Sequence, residues 1–330
     1  EMCIRDRLRV APPAPPDHAT SLLDPDVGAP PAAGTGSWAT QRPRRREWTP
    51  PCNDGCPAGN DIRGFVAAVQ DKDFDRALAI IHETSPFPAI CGRVCPAPCM
   101  DACHRHLLDE SVNIRELERY VGDHAEAQPV REMARSESVA VVGSGPGGLS
   151  AAYHLARLGY GVTVYEADTE LGGVMRTGIP AYRLPRDVLD REIAFILEHG
   201  VKAETGFRVD RTRLHEMSQE HDAVFVATGL QEARGLNLGI EDPDVLSQGI
   251  VFLDDARLNK VRTDDERVAV IGGGNTAMDA ARTALRLGAK EVKVHYRRTR
   301  EQMPAIREEI DEALEEGIAL HELVAPVKLK

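Results

Sequence analysis

Two stretches of this chain repeat one plan, and that repeat restricts the fold more than any other feature of the sequence. SVAVVGSGPGGLSAAYHLARLGYGVTVYEAD starts at Ser138, and RVAVIGGGNTAMDAARTALRLGAKEVKVHYRR starts at Arg267. Each reads as a short apolar strand, a glycine turn, an Ala-rich helix closing at Leu-Gly (Gly159, Gly288) and a second, alternating strand. Strands joined in this way by a helix lie parallel in one sheet. The expected fold class is therefore α/β, with two Rossmann-type dinucleotide-binding units.

In the first unit Gly143, Gly145 and Gly148 form GxGxxG between strand and helix, with Pro146 and Gly147 inside the turn. The first glycine allows the tight turn, the second admits a pyrophosphate against the backbone, and the third lets helix and strand pack closely. The helix N-terminus then offers amide donors to the phosphates. Glu166 closes the second strand, where a carboxylate accepts from ribose hydroxyls. The second unit has Gly272, Gly273 and Gly274, followed by Asn275, Thr276 and Ala277, as its turn. Its second strand places Tyr296 opposite Glu166, followed by Arg297 and Arg298. Loss of the acid and gain of two guanidiniums suit a ribose 2′-phosphate, which favours NADP(H) over NAD(H). The alternative is that the two arginines are a solvated strand end.

Two nucleotide sites in series point to a flavoprotein in which hydride passes from nicotinamide to flavin, a step that needs orientation and stacking and no protein acid or base. No catalytic side chain is assigned for that reason.

Six of the seven cysteines, Cys52, Cys56, Cys91, Cys95, Cys99 and Cys103, gather ahead of the repeat, while Cys3 stands alone. Pro96 and Pro98 exclude a regular helix through CPAPC, and a loop able to wrap inorganic material is expected there. Cys-Pro at Cys56 and Cys95 fits iron–sulfur ligation; thiolate-rich sites also suit zinc, and a disulfide framework is disfavoured in a reducing cytoplasm. DIRGFVAAVQ, DFDRALAIIHE and SVNIRELERYVGDHA show helical apolar spacing around these cysteines. His104 and His106 read as a solvated turn. REEIDEALEEG reads as an exposed helix face over a stripe of Ile306, Ile310 and Leu314.

The expected organisation is a Pro/Ala-rich tail over 1–48, a helical Cys-rich domain over 49–128, the first part of an FAD domain over 136–250 and an incomplete NAD(P)H domain over 251–330. The tail is too poor in core-forming residues to offset ordering entropy. A net charge of -12 disfavours nucleic acid as a partner, and the basic QRPRRRE at 41 to 47 is read as a linker. No apolar run nears the roughly 18 residues of a membrane helix, and no secretory signal is visible, so a cytoplasmic protein without membrane insertion is expected. Because the first residue is Glu, a fragment is also expected.

PCNDGCPAG, FPAICGRVCPAPCMDAC, LGG, IPAYRLP, ATG and YRRTREQMPA together resemble the small subunit of glutamate synthase and its relatives, including the N-terminal half of dihydropyrimidine dehydrogenase. The resemblance runs from about Pro51 to Ala305. It implies a helical iron–sulfur domain, an FAD domain and an inserted NADPH domain, with a returning FAD segment that would follow Lys330. Gly172, Gly173, Arg183, Thr228 and Gly229 are implied cofactor residues. Of two family clusters, one takes two cysteines at positions that here are Arg44 and Glu47, so one [4Fe-4S] cluster is expected. The resemblance assigns it Cys56, Cys95 and Cys99 with a ligand from the helix at 111 to 125, where Glu118 stands at the place of a glutamine. Cys52 and Cys103 are left to pair with each other or with Cys91.

The function expected is an NADPH-dependent iron–sulfur flavoprotein oxidoreductase that passes electrons to a partner protein or larger catalytic subunit. One rival, a pyridine-nucleotide disulfide reductase, needs a redox-active cysteine pair near the flavin, and no cysteine follows Cys103. The other is a scaffold subunit with structural zinc and nucleotides.

Overall fold

In the computed structural model, residues 49–230 and 246–327 are described. The expected tail over 1–48, with Cys3, Arg44, Glu47 and the basic cluster, lies outside them. From Pro50 onward the chain forms one unit by its contacts.

Short helices come first: α1 (Pro51–Gly55), α2 (Ile62–Gln70), α3 (Phe74–His82), α4 (Pro88–Val94), α5 (Pro98–Asp101) and α6 (Ile114–His124). Asp61 and Asp73 cap α2 and α3 by accepting from Gly64 and Arg76 N–H groups. Pro88 opens α4, and the helix ends where Cys95 turns extended ahead of Pro96. Phe65, Ile81 and Val121 form the centre of this module, with Cys99 buried and Cys52 and Cys56 packed at its edge.

The first nucleotide unit follows as β1 (Ser138–Val142), α7 (Pro146–Arg157), β2 (Gly161–Tyr165), α8 (Val174–Thr177), α9 (Arg186–Glu198), β3 (Lys202–Glu204), α10 (Arg211–Glu220) and β4 (Ala223–Val226). Its strands are all parallel in the order β3-β2-β1-β4, with Val139 opposite Val162 and Ala223. Alternate residues of β1 serve two faces. Val139 and Val141 meet α7 and α9, whereas Ala140 and Val142 meet Met217 of α10. The larger of these cores contains Phe87, Ala89 and Ile90, so α4 is packed into the first nucleotide unit.

The second unit comprises α11 (Gly249–Arg257), β5 (Arg267–Ile271), α12 (Asn275–Arg286), β6 (Glu291–His295), α13 (Arg307–Glu315) and β7 (Ala319–His321). Its parallel sheet runs β5-β6-β7, and Met278, Ala281 and Ala284 of α12 pack with Ile310 and Ala313 of α13 on Val292 and Val294. The α/β class with two parallel-stranded units and a helical module before them is what the repeat predicts.

Candidate functional site

At the first glycine turn the backbone is held to a shape only glycine allows. Gly143 has φ +102°, and a side chain there would strike the Ala227 carbonyl at the start of Ala-Thr-Gly. A methyl on Gly148 would collide with the Gly143 carbonyl, because helix and strand cross at this point. Gly145 and Gly147 face open space. Helix α7 has no side-chain cap, unlike α2, α3 and α10, so its first amides remain available to an anion. The turn is braced from below. Ser144 is fully buried; its N–H and hydroxyl both donate to Glu166 Oε2 (2.8 and 2.5 Å), while Asp168 N–H donates to Oε1 (3.0 Å). The Ser144 hydroxyl in turn accepts from Gly172 N–H (3.0 Å), and Gly173 lies against Gly145. The structure thus gathers Gly143, Gly145, Glu166, Gly172, Gly173 and Thr228 around one cradle. These residues fit a dinucleotide: an open floor, free helix amides and a buried carboxylate at the sugar end.

The second turn has the same plan with different chemistry. Helix α12 also starts without a side-chain cap after Gly274, and the space beside Gly274 is open. Tyr296 is buried, its ring lies on Gly273, and its hydroxyl donates to the Gln302 carbonyl (2.8 Å). It is a wall where the first unit has an acid. Arg297 and Arg298 follow it and are exposed, with no ion pair among the described residues. Asn275 and Thr276 are exposed at the helix start, and Asn275 Oδ1 accepts from Ile306 N–H (2.9 Å).

Arg183 sits in a cluster of ion pairs. The resemblance makes it a cofactor residue, but its guanidinium is 7% exposed and donates to both oxygens of Asp279 on α12 (2.8 and 3.0 Å). Its Nε lies 2.7 Å from Glu309 of α13, an ion pair without hydrogen-bond alignment. Burial outweighs the Arg183 charge at Asp279 and pushes that carboxyl up to about 6. The α13 face is largely exposed, as its charge-rich sequence predicts, with Ile310 in the core beneath it, and several of its carboxylates pair with arginines.

Among the cysteines, Cys95 and Cys99 both feel the nearby Cys56 and Glu118. Burial raises the Cys99 thiol to about 12, with Cys56, Cys95 and Glu118 adding to it. Burial also raises Cys95, against the amide of Ala97, which donates to its sulfur (3.4 Å) from a left-handed Ala97 (φ +54°). Glu118 is buried on α6, accepts from Asn60 Nδ2 (3.4 Å) and is pushed up to about 7 by burial. Among the described residues no three His, Cys, Asp or Glu are drawn in to the radius of a single ion. Cys91 packs toward the first nucleotide unit, and its thiol is raised by burial and then by Glu118 and Glu192. Cys52 donates weakly to Asn53 Oδ1 (3.7 Å), and Cys103 leads into an exposed 3-10 turn over His104–Leu107.

Glu192 was not visible as a site residue in the sequence. From α9 it reaches the N-terminus of α4 and accepts from the N–H groups of Ala89 (2.6 Å) and Ile90 (3.1 Å). Burial raises its carboxyl to about 8 against the pull of those two amides. It ties the helix ending at Cys95 to the first nucleotide unit.

The pattern described as pyridine nucleotide-disulphide oxidoreductase matches residues 137–327, both glycine turns included. The chain belongs to the pyridine nucleotide-disulphide oxidoreductase family. Ahead of it, residues 46–130 match dihydropyrimidine dehydrogenase domain II, 4Fe-4S cluster. The chain is 41% identical over 294 residues to the NADPH-Fe(3+) oxidoreductase subunit beta of Geobacter sulfurreducens, covering 86% of this chain and 44% of that protein. It is 34% identical to the glutamate synthase [NADPH] small chain of Azospirillum brasilense (84% and 62% covered). It is 36% identical to the NAD-dependent dihydropyrimidine dehydrogenase subunit PreT of Escherichia coli (85% and 69%). The chain thus spans less than half of the Geobacter protein. Among solved structures, Mycobacterium tuberculosis FprA in complex with NADPH shares the fold, with a TM-score of 0.51 at 18% identity over 59% of this chain and 61% of that one. The chain thus joins a stretch similar to a 4Fe-4S cluster domain to a pyridine nucleotide-disulphide oxidoreductase region. No described helix is long and apolar enough to cross a membrane.

Proposed function

We propose that this chain is the electron-input part of an NADPH-dependent iron–sulfur flavoprotein. When bound, NADPH supplies hydride to FAD, and electrons leave through one [4Fe-4S] cluster to a partner protein or larger catalytic subunit. The observation that carries the reading is the contrast between the two glycine turns. Under the first, Glu166 is a buried carboxylate suited to ribose hydroxyls. Beside the second, Tyr296 fills that place and Arg297 and Arg298 stand exposed and unpaired among the described residues, a pair of forks for a 2′-phosphate.

In this reading the modules are 49–128 for the cluster, 136–250 for FAD and 251–330 for NADPH. Gly143, Gly145, Pro146, Gly147, Gly148, Glu166, Gly172, Gly173, Thr228 and Gly229 hold FAD; Gly272, Gly273, Gly274, Asn275, Thr276, Arg297 and Arg298 hold NADPH. Cys56, Cys95 and Cys99, with Glu118, hold the cluster, and a thiol-rich site of this kind is in keeping with a reducing cytoplasm. Support comes from the relatives, two of which are called subunits and one a small chain. Residues 104–330, which include both nucleotide units, contain no cysteine to form the redox pair of a disulfide reductase.

The test is anaerobic titration of the full-length protein with NADPH and with NADH, following flavin bleaching. NADPH is expected to bind more tightly, and Arg297→Ala with Arg298→Ala to weaken NADPH by roughly tenfold to a hundredfold while leaving NADH nearly unchanged, the scale of one or two charge-assisted hydrogen bonds. Equal response to both nucleotides in the parent protein refutes the assignment.

A further inference from the structure

The acidic helix α13 lies outside both glycine turns, yet it is gripped from two other modules. Arg115 on α6, the helix that carries Glu118, reaches Glu308 with Nη2 2.5 Å from Oε2. Arg183, from the loop between α8 and α9, meets Glu309 and also Asp279 on α12. Beside it Tyr182 lies under the Arg286 guanidinium, 4.0 Å from its ring centroid. The Arg183 and Asp279 side chains are 7% and 5% exposed.

Burying charges at that level costs desolvation that their attraction barely repays, and apolar side chains of similar size would hold two surfaces together at least as well. What an ionic contact adds is geometry: a guanidinium fork accepts one placement of its carboxylates. A contact surface chosen for holding power alone would not be built this way. Hydride transfer between two separately bound nucleotides depends on that kind of fixed placement, since a misplacement of about 1 Å can cost about a hundredfold in rate.

We propose that Arg115 and Arg183 are positioning residues that clasp α13 from the cluster module and the flavin module, and so set the orientation of the nicotinamide module for hydride transfer. The proposal rests on the NADPH-to-FAD reading above. It also makes the cluster module part of the nucleotide geometry, because one jaw of the clasp is on α6.

The test uses the full-length protein carrying its flavin and iron. Glu308 is 62% exposed, so charge reversal there is compatible with folding. Three variants are compared: Glu308→Arg, Arg115→Glu and the double exchange. Two quantities are read. One is the distribution of distances between fluorophores introduced through non-natural residues at exposed Arg211 and Lys290, one in each nucleotide unit. The other is the rate of flavin reduction at saturating NADPH, alongside the Kd for NADP+. Each single reversal is expected to broaden the distances and slow reduction by about tenfold or more, with the Kd changed by less than about twofold, and the exchange to restore both. Single reversals that leave distances and rate at the parent values overturn the clasp, as does an exchange that restores neither. A parent protein whose flavin NADPH does not reduce removes the functional reading instead, and the distances then decide whether the clasp exists.

Discussion

Glu192 carries the linkage between modules at the scale of a single residue. It closes the N-terminus of α4 from a helix more than a hundred positions away in sequence, where the N-cap residue itself, Phe87, has no side-chain acceptor. Glu192→Leu is expected to leave two buried N–H groups without partners and to lower stability by about 2–4 kcal/mol, read by urea unfolding, with Glu192→Gln costing less because one acceptor remains. His82 makes a second prediction. It stacks on Phe195 (4.5 Å), and burial, then His199 and Arg157, lower its pKa to about 4. The unfolded chain takes up this proton near pH 6.5 and the folded chain only near 4. Stability from this group is thus present above pH 6.5 and lost as pH falls through that window, by up to about 3 kcal/mol. Unfolding free energies at pH 7.5 and 5 should differ less in His82→Phe than in the parent. Neither residue was legible beforehand. An isolated Glu in an amphipathic helix and a His at a helix end carry no pattern, and their meaning comes from partners that folding brings to them. Glu166 was legible, because its position after an alternating strand is set by a local repeat.

At the scale of elements, strands and glycine turns were readable because their determinants are contiguous: the apolar run of β1, the turn, then the helix start. Gly148→Ala tests the tightness of that unit. Its methyl has no room beside the Gly143 carbonyl, so the variant is expected to lose bound flavin, measured as the flavin-to-protein absorbance ratio of the purified protein. Helix α13 was half legible. The spacing of its apolar residues gives the buried stripe, and Ile310 is in it, but charge-rich composition says nothing of which arginines will face it. The partners of Arg183 were out of reach for a related reason: the loop motif is local, and the carboxylates that hold it belong to helices far along the chain. Where α4 meets α6 the fit is again set at a distance, since Gly92 lies so close to Arg119 that a methyl there would sit 2.5 Å from its Cα.

In the proposed reading the whole molecule carries three cofactor sites along one chain, and α4 packs the cysteine-bearing segment into the first nucleotide unit. The proposed ligand set predicts that Cys99→Ala loses the iron and the brown colour, while Cys52→Ala keeps about four irons per chain, determined by iron analysis of anaerobically purified protein. Retention of iron by Cys99→Ala would remove Cys99 from the set. The position of α4 has one more consequence. Phe87, Ala89 and Ile90 belong to the core of the first nucleotide unit, although they precede the linker by some forty positions. The cysteine-bearing segment therefore cannot be cut at the linker and kept as a free-standing ferredoxin, nor exchanged for another at that point, without tearing a hole in its neighbour. A lineage that reuses this electron-input device must inherit both parts as one piece.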